Sequence, residues 1–213
     1  GRGPDEADER PYSWLDGSGA RGVSLDGRSL LQAEYAVGGG IGGTVWLRRM
    51  DGTAPVLLGS GGGHGLSPDG QWALMVGGRP GDDLVVVPTG PGEAKRLPRG
   101  TIETCYGASF FPDNRRILVL ASEAGRPQRL FSQELDGGLP RAASPEGFRV
   151  AAPGNPVSPD GTRIAAFPDD PGRGPVFVSV EDGTVRAIDG LGPGDVPLAW
   201  TTDGKSLFVR EPS

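Results

Sequence analysis

The chain is poor in the residues that carry most enzyme chemistry. Its 213 residues include 1 histidine (His64), 1 cysteine (Cys105), 2 methionines and 3 tyrosines. A lone cysteine forbids an intramolecular disulfide and leaves the redox compartment open. A structural zinc site draws on four nitrogen or sulfur ligands, which one His and one Cys do not supply. A Ser-His-Asp arrangement would use His64 as its base, and no Gly-x-Ser-x-Gly elbow accompanies it. No metal and no cofactor is therefore expected. No run approaches the ~20 apolar residues that span a bilayer, so direct membrane insertion is not expected of this chain. No window holds a helical apolar pattern for three turns without Gly or Pro. The sequence also lacks an initiator methionine and a secretory leader. The expectation is a chain that begins after processing or forms a piece of a longer protein.

Basic charge is the smaller share. Lys and Arg number 21 against 27 Asp and Glu, a formal net charge of −6. That balance argues against a nucleic-acid partner, whose phosphates call for a basic face. Glycine and proline are abundant instead, at 38 and 21 residues. Without a period they would suggest disorder.

A period exists. Ser24-Leu25-Asp26-Gly27 recurs as Ser67-Pro68-Asp69-Gly70, Phe111-Pro112-Asp113-Asn114, Ser158-Pro159-Asp160-Gly161 and Thr201-Thr202-Asp203-Gly204. The aspartates stand 43, 44, 47 and 43 residues apart. Units of about 40–45 residues, each with several short strands, are the signature of a β-propeller. In the second unit, Gly63–Ser67 reads as a strand and Pro68-Asp69-Gly70 as its turn. Trp72–Val76 and Leu84–Val87 read as the next two strands, and a more polar strand follows around Ala94–Leu97. A polar outermost strand protects the blade edge. Asn114 in place of glycine is tolerable because asparagine also accepts the left-handed conformation.

The expected fold is therefore all-β, a propeller of four-stranded antiparallel blades. Four full repeats run about 19–59, 62–98, 101–143 and 147–190, and a partial fifth covers 195–213. Some four and a half blades imply a five- or six-bladed ring, truncated or closed by Tyr12–Leu15. An incomplete ring would leave strand edges open to pairing with another chain. Residues 1–11 are acidic and polar and read as a linker or tether, with the propeller spanning 12–213.

The hydrophobic-x-Ser-Pro-Asp-Gly phrase, with Asp-Gly in the last turn at Asp51-Gly52, Asp136-Gly137 and Asp182-Gly183, resembles the WD-like repeat of TolB-type propellers over residues 12–210. More narrowly, residues 9–16 leading into Val23–Leu31, and Asp195–Trp200 before Asp203–Leu207, resemble propellers at the C-terminal end of bacterial eukaryote-like Ser/Thr kinases. That resemblance implies a sensor or interaction module, commonly separated from its kinase by a membrane segment. It favours an extracytoplasmic location; the residues themselves leave the compartment open. No kinase motif lies within this chain.

Two Gly-x-Gly-x-x-Gly matches, at Gly17–Gly22 and Gly38–Gly43, lack the strand-to-helix setting that a phosphate site requires. The acidic pairs Asp82-Asp83 and Asp169-Asp170 read as solvated loop charge rather than calcium ligands. Five residues before each turn aspartate sit Arg21, His64, Ala108, Asn155 and Leu198. The expected binding surface uses Arg21, His64 and Asn155, with Tyr106 and Trp200 nearby. Its partner would be a protein or peptide, and the chain a non-catalytic sensor or scaffold arm of a larger bacterial protein. An accessory propeller of a hydrolase or peptidase, or a small-ligand sensor, is the alternative.

Overall fold

The computed structural model describes residues 17–35, 43–77, 82–151 and 154–212. The linker 1–11, the strand expected at Tyr12–Leu15 and most of the second glycine fingerprint lie outside these residues. All regular structure among the described residues is β, without a helix. The chain forms two compact units, Gly1–Leu97 and Pro98–Ser213.

The first unit holds two antiparallel sheets of four strands, each in simple sequential order. One comprises β1 (Ser18–Val23), β2 (Ser29–Glu34), β3 (Thr44–Arg49) and β4 (Val56–Ser60). The next comprises β5 (Gly62–Leu66), β6 (Trp72–Val76), β7 (Leu84–Pro88) and β8 (Lys95–Arg96). The second unit repeats the pattern with β9 (Ile102–Phe110), β10 (Arg116–Glu123), β11 (Arg129–Glu134) and β12 (Arg141–Ala142). It continues with β13 (Phe148–Arg149), β14 (Arg163–Pro168), β15 (Val176–Ser179) and β16 (Val185–Ala187). It finishes with the pair β17 (Val196–Trp200) and β18 (Leu207–Arg210).

The recurring phrase is a hydrogen-bonded hub. In the second repeat the Ser67 hydroxyl donates to Asp69 Oδ1 at 2.6 Å and accepts from the Trp72 N–H at 2.9 Å. Asp69 Oδ1 also accepts from the Gln71 N–H at 3.0 Å. Ser24 with Asp26, Ser158 with Asp160 and Thr201 with Asp203 repeat the arrangement. The next residue has φ of 68–71° at Gly27, Gly70, Gly161 and Gly204, and 56° at Asn114. Asn114 thus adopts the left-handed conformation that the turn demands. Bonds from the Ser158 hydroxyl, the Thr162 N–H and the Thr162 hydroxyl hold the Asp160 carboxyl down at about 2.

The third turn solves the same problem differently. Phe111 stands where the others have a hydroxyl, so the Arg116 N–H donates directly to Asp113 Oδ1 at 3.0 Å. Arg116 Nε adds a bond to Asp113 Oδ2 at 2.7 Å. The freed Phe111 ring is fully buried, in a cluster with Leu118, Leu130, Phe148, Ile164 and Val178. In the first unit the core gathers Leu31, Val45, Leu47, Leu66, Ala73 and Met75.

The two turns without proline make a matched test. The Leu25 N–H donates to the Pro68 carbonyl at 2.8 Å, a bond that proline would delete. The Thr202 N–H makes no such backbone bond among the described residues. Thr202→Pro should raise stability by about 0.4–1 kcal/mol through the unfolded chain. Leu25→Pro should show no gain, since the lost bond offsets about as much. Urea midpoints of the two variants check this, and equal gains would contradict it.

Three outermost strands, β8, β12 and β16, carry Lys95, Arg96, Arg141 and Arg186, as edge protection leads one to expect. β4 departs from this. Its Val56 and Leu57 are half exposed, while Leu58 packs against the first unit's core.

Inner strands meet through a small-against-large fit. A Cβ on Gly22 of β1 would lie 2.7 Å from the Leu66 backbone nitrogen of β5. Gly22, four residues before Asp26, therefore admits the next blade's backbone.

Candidate functional site

Register between the first and second strands of four repeats skips one residue. Ala20 pairs Gln32 and Gly22 pairs Leu31, leaving Arg21 unmatched. Gly63 pairs Met75 and Gly65 pairs Leu74, leaving His64 unmatched. Cys105 pairs Ala121 and Gly107 pairs Leu120, leaving Tyr106, with a second skip at Glu103; Pro197 pairs Val209 and Ala199 pairs Phe208, leaving Leu198. Such a bulge bends the strand and re-aims the extra side chain. Arg21, His64 and Leu198 occupy the same place relative to the turn. In the third repeat the bulge falls two residues earlier, and Ala108 pairs normally with Val119.

The fourth repeat has no continuous inner strand. β13 pairs only with the far end of β14, and Val157 forms an isolated bridge to Ile164. Pro156 has no N–H to give the ladder, and its carbonyl accepts from the Ala165 N–H and from Trp200 Nε1, at 2.8 and 2.9 Å. Asn155 therefore lies outside any strand, exposed, with Oδ1 accepting from the Val157 N–H at 3.2 Å.

In the first unit, Arg21 and His64 are neighbours across adjacent inner strands. The Arg21 stem runs along Gly63, where a Cβ would stand 3.5 Å from Arg21 Cγ. Its guanidinium donates from Nη2 to the Tyr35 hydroxyl at 3.0 Å and lies 5.2 Å from that ring's centroid. Arg21 Nε is buried without an acceptor, an arrangement that costs about 1–3 kcal/mol when nothing satisfies the donor. Burial, reinforced by the Arg21 charge, pushes the half-buried His64 imidazole down to about 4. His64 is accordingly neutral near pH 7, with one ring N–H to donate.

In the second unit, Tyr106 is half exposed and its hydroxyl lies 3.2 Å from Ser122 Oγ. Trp200 is engaged in packing. Its ring stacks on Phe177 at 5.2 Å, the Arg163 guanidinium sits 4.9 Å from it, and its N–H is spent on Pro156. Burial pushes the Cys105 thiol up to about 11, far from a reactive thiolate.

The acidic pairs are tied into local structure. Asp83 bonds Arg96 at 3.2 Å, Asp169 bonds Arg149 at 2.5 Å, and Asp170 accepts from the Gly172 N–H. No cluster of three or more His, Cys, Asp or Glu suited to a metal occurs among the described residues. A cleft of about 640 Å³ between β11–β12 and the end of β15 is lined by residues of both charge signs, including Glu134, Arg141 and Glu181. None of the binding residues expected from sequence lines it. Tyr35 is the residue that sequence reasoning missed, because its link to Arg21 depends on pairing across the first hairpin.

No protein-family model matches the sequence, and no curated protein matches it either. Solved structures do match. A TolB candidate from Agrobacterium tumefaciens aligns at TM-score 0.67 and 21% identity, over 88% of this chain and 72% of that one. The fold is a β-propeller. TolB from Acinetobacter baumannii aligns at TM-score 0.63 and 18% identity, covering 81% of this chain and 46% of that protein. An oligogalacturonate lyase in complex with manganese aligns at 0.66 and 16% identity, over 89% of this chain and 57% of that enzyme. The propeller architecture is thus shared with an enzyme, and function has to be argued from the site.

Proposed function

We propose that this propeller is a non-catalytic interaction module that binds a protein or peptide through its bulged inner strands. The observation that carries the reading is the bulge itself. In three repeats it turns Arg21, His64 and Tyr106, side chains suited to recognition, out of the ladder pattern. Arginine and tyrosine are enriched among residues that dominate protein interfaces. In this reading the module is a sensor or scaffold arm of a larger bacterial protein, and the resemblance of residues 9–31 and 195–207 suggests a Ser/Thr kinase. The edge of β18, which has no second strand beside it among the described residues, is then paired by another chain.

The test is affinity capture with the propeller as bait in extract of its source organism, quantified by mass spectrometry. One protein recovered near stoichiometry, and reduced when Arg21, His64 and Tyr106 are replaced together by alanine, is the expected result. Recovery of no protein above a bait-free control would overturn the reading and favour a small-ligand sensor.

A further inference from the structure

Among the described residues, Arg21 is a cation without an anion. No carboxylate lies within ion-pair distance of it among the described residues. Its guanidinium is nonetheless held in place, by the Tyr35 hydroxyl at one nitrogen and the Tyr35 ring along its face. Its buried Nε has no acceptor among the described residues. Buried donors in native proteins are nearly always paired, so an orphan on a fixed side chain invites an explanation.

The surroundings favour a ligand over a packing role alone. Arg21 and His64 are both bulge residues, re-aimed on adjacent strands. Bare glycine backbone flanks them: a Cβ on Gly62 would stand 3.7 Å from His64 Nε2, and one on Gly63 would touch the Arg21 stem and Val45. Side chains at those positions would occupy the space beside both groups.

We propose that Arg21, oriented by Tyr35 and flanked by His64, forms a binding site for a carboxylate. The planar guanidinium fork matches a carboxylate's two oxygens, and the neutral imidazole offers one further N–H. One full positive charge beside a neutral donor suits a monoanion better than a phosphate dianion. The interaction reading enters only in the source of that carboxylate, an acidic side chain or a C-terminus of the protein partner.

The single histidine makes the site directly observable. The His64 ring and the Arg21 Nε–H are followed by NMR at pH 7 while sodium acetate is added against sodium chloride of equal ionic strength. A saturable shift of both signals with acetate alone is expected, with affinity lowered about ten- to a hundredfold in Arg21→Gln. Arg21→Lys, which keeps the charge but loses the fork, should weaken binding as well. Identical, non-saturating responses of the wild type to the two salts would overturn the proposal without recourse to any variant. Two peptides separate the sources: Ac-Gly-Glu-Gly-NH2 carries only a side-chain carboxylate, and Ac-Gly-Gly-Gly-OH only a terminal one. Tighter binding of either than of acetate assigns the source; no shift with both overturns the assignment to a protein segment. Acetate binding with no captured protein would sink the interaction reading and leave the site. A captured partner retained undiminished by Arg21→Gln, with no acetate response, would do the reverse.

Discussion

Phe111→Ser should destabilise the second unit by about 3–5 kcal/mol, even though it restores the phrase that the other repeats share. A repeat-based view expects the opposite, because serine at this position builds the turn hub elsewhere. The third turn, however, already satisfies itself: Asp113 accepts from the N–H groups of Arg115 and Arg116 and from Arg116 Nε. A hydroxyl there would add little. What is lost is a fully buried ring, packed among core residues of two repeats and lying 4.4 Å from the Arg116 guanidinium carbon. The cavity left behind adds to the lost transfer energy. Urea unfolding of the variant against wild type checks this, and a gain or a change under about 1 kcal/mol would contradict it.

Gly22→Ala should cost about 1–3 kcal/mol, although it adds a single methyl group. The new Cβ would stand 2.7 Å from the Leu66 nitrogen and 3.1 Å from Leu66 Cβ. The nearer contact is with backbone, which cannot swing aside as a long side chain can. The inner strands of the first two repeats would have to separate, loosening the cluster that Leu66 shares with Leu31 and Val45. Gly138 gives the control, since a Cβ there meets only the Glu134 side chain, at 3.4 Å. Gly138→Ala should change the urea midpoint far less. Equal effects from the two substitutions would contradict the close-packing argument.

The architecture was legible because its signals are local. A hydroxyl, an aspartate two residues on and a left-handed residue after it close a turn using atoms within six positions, so each recurrence reads alike. Apolar runs such as Trp72–Val76 and Val176–Ser179 then become strands where the pattern places them. The departures come from interactions between strands. The phrase beginning at Phe111 reads as one recurrence among five, whereas the structure spends that position on the core. The fourth inner strand reads as regular, yet Pro156 breaks it and removes Asn155 from the ladder.

The candidate site was half legible for the same reason. Equivalence of position picked out Arg21 and His64, and their proximity on adjacent strands makes that pairing physical. The bulges that re-aim them are a property of register, which depends on two strands at once and leaves no mark in either alone. Tyr106 lies off the shared spacing because its bulge is displaced by two residues. Trp200, expected near that surface, has its indole N–H committed to Pro156. Tyr35 stands opposite Gly17 in the hairpin, four residues from Arg21, so counting across from Arg21 leads to Leu31 and Gln32 instead.

The most direct test of the central claim is a side-by-side capture from the source extract with wild-type propeller and with Arg21→Gln, both confirmed folded by their urea midpoints. The account predicts one protein near stoichiometry with the wild type and at least a tenfold lower recovery with the variant. Equal recovery by the two baits would contradict a binding role for the Arg21 site.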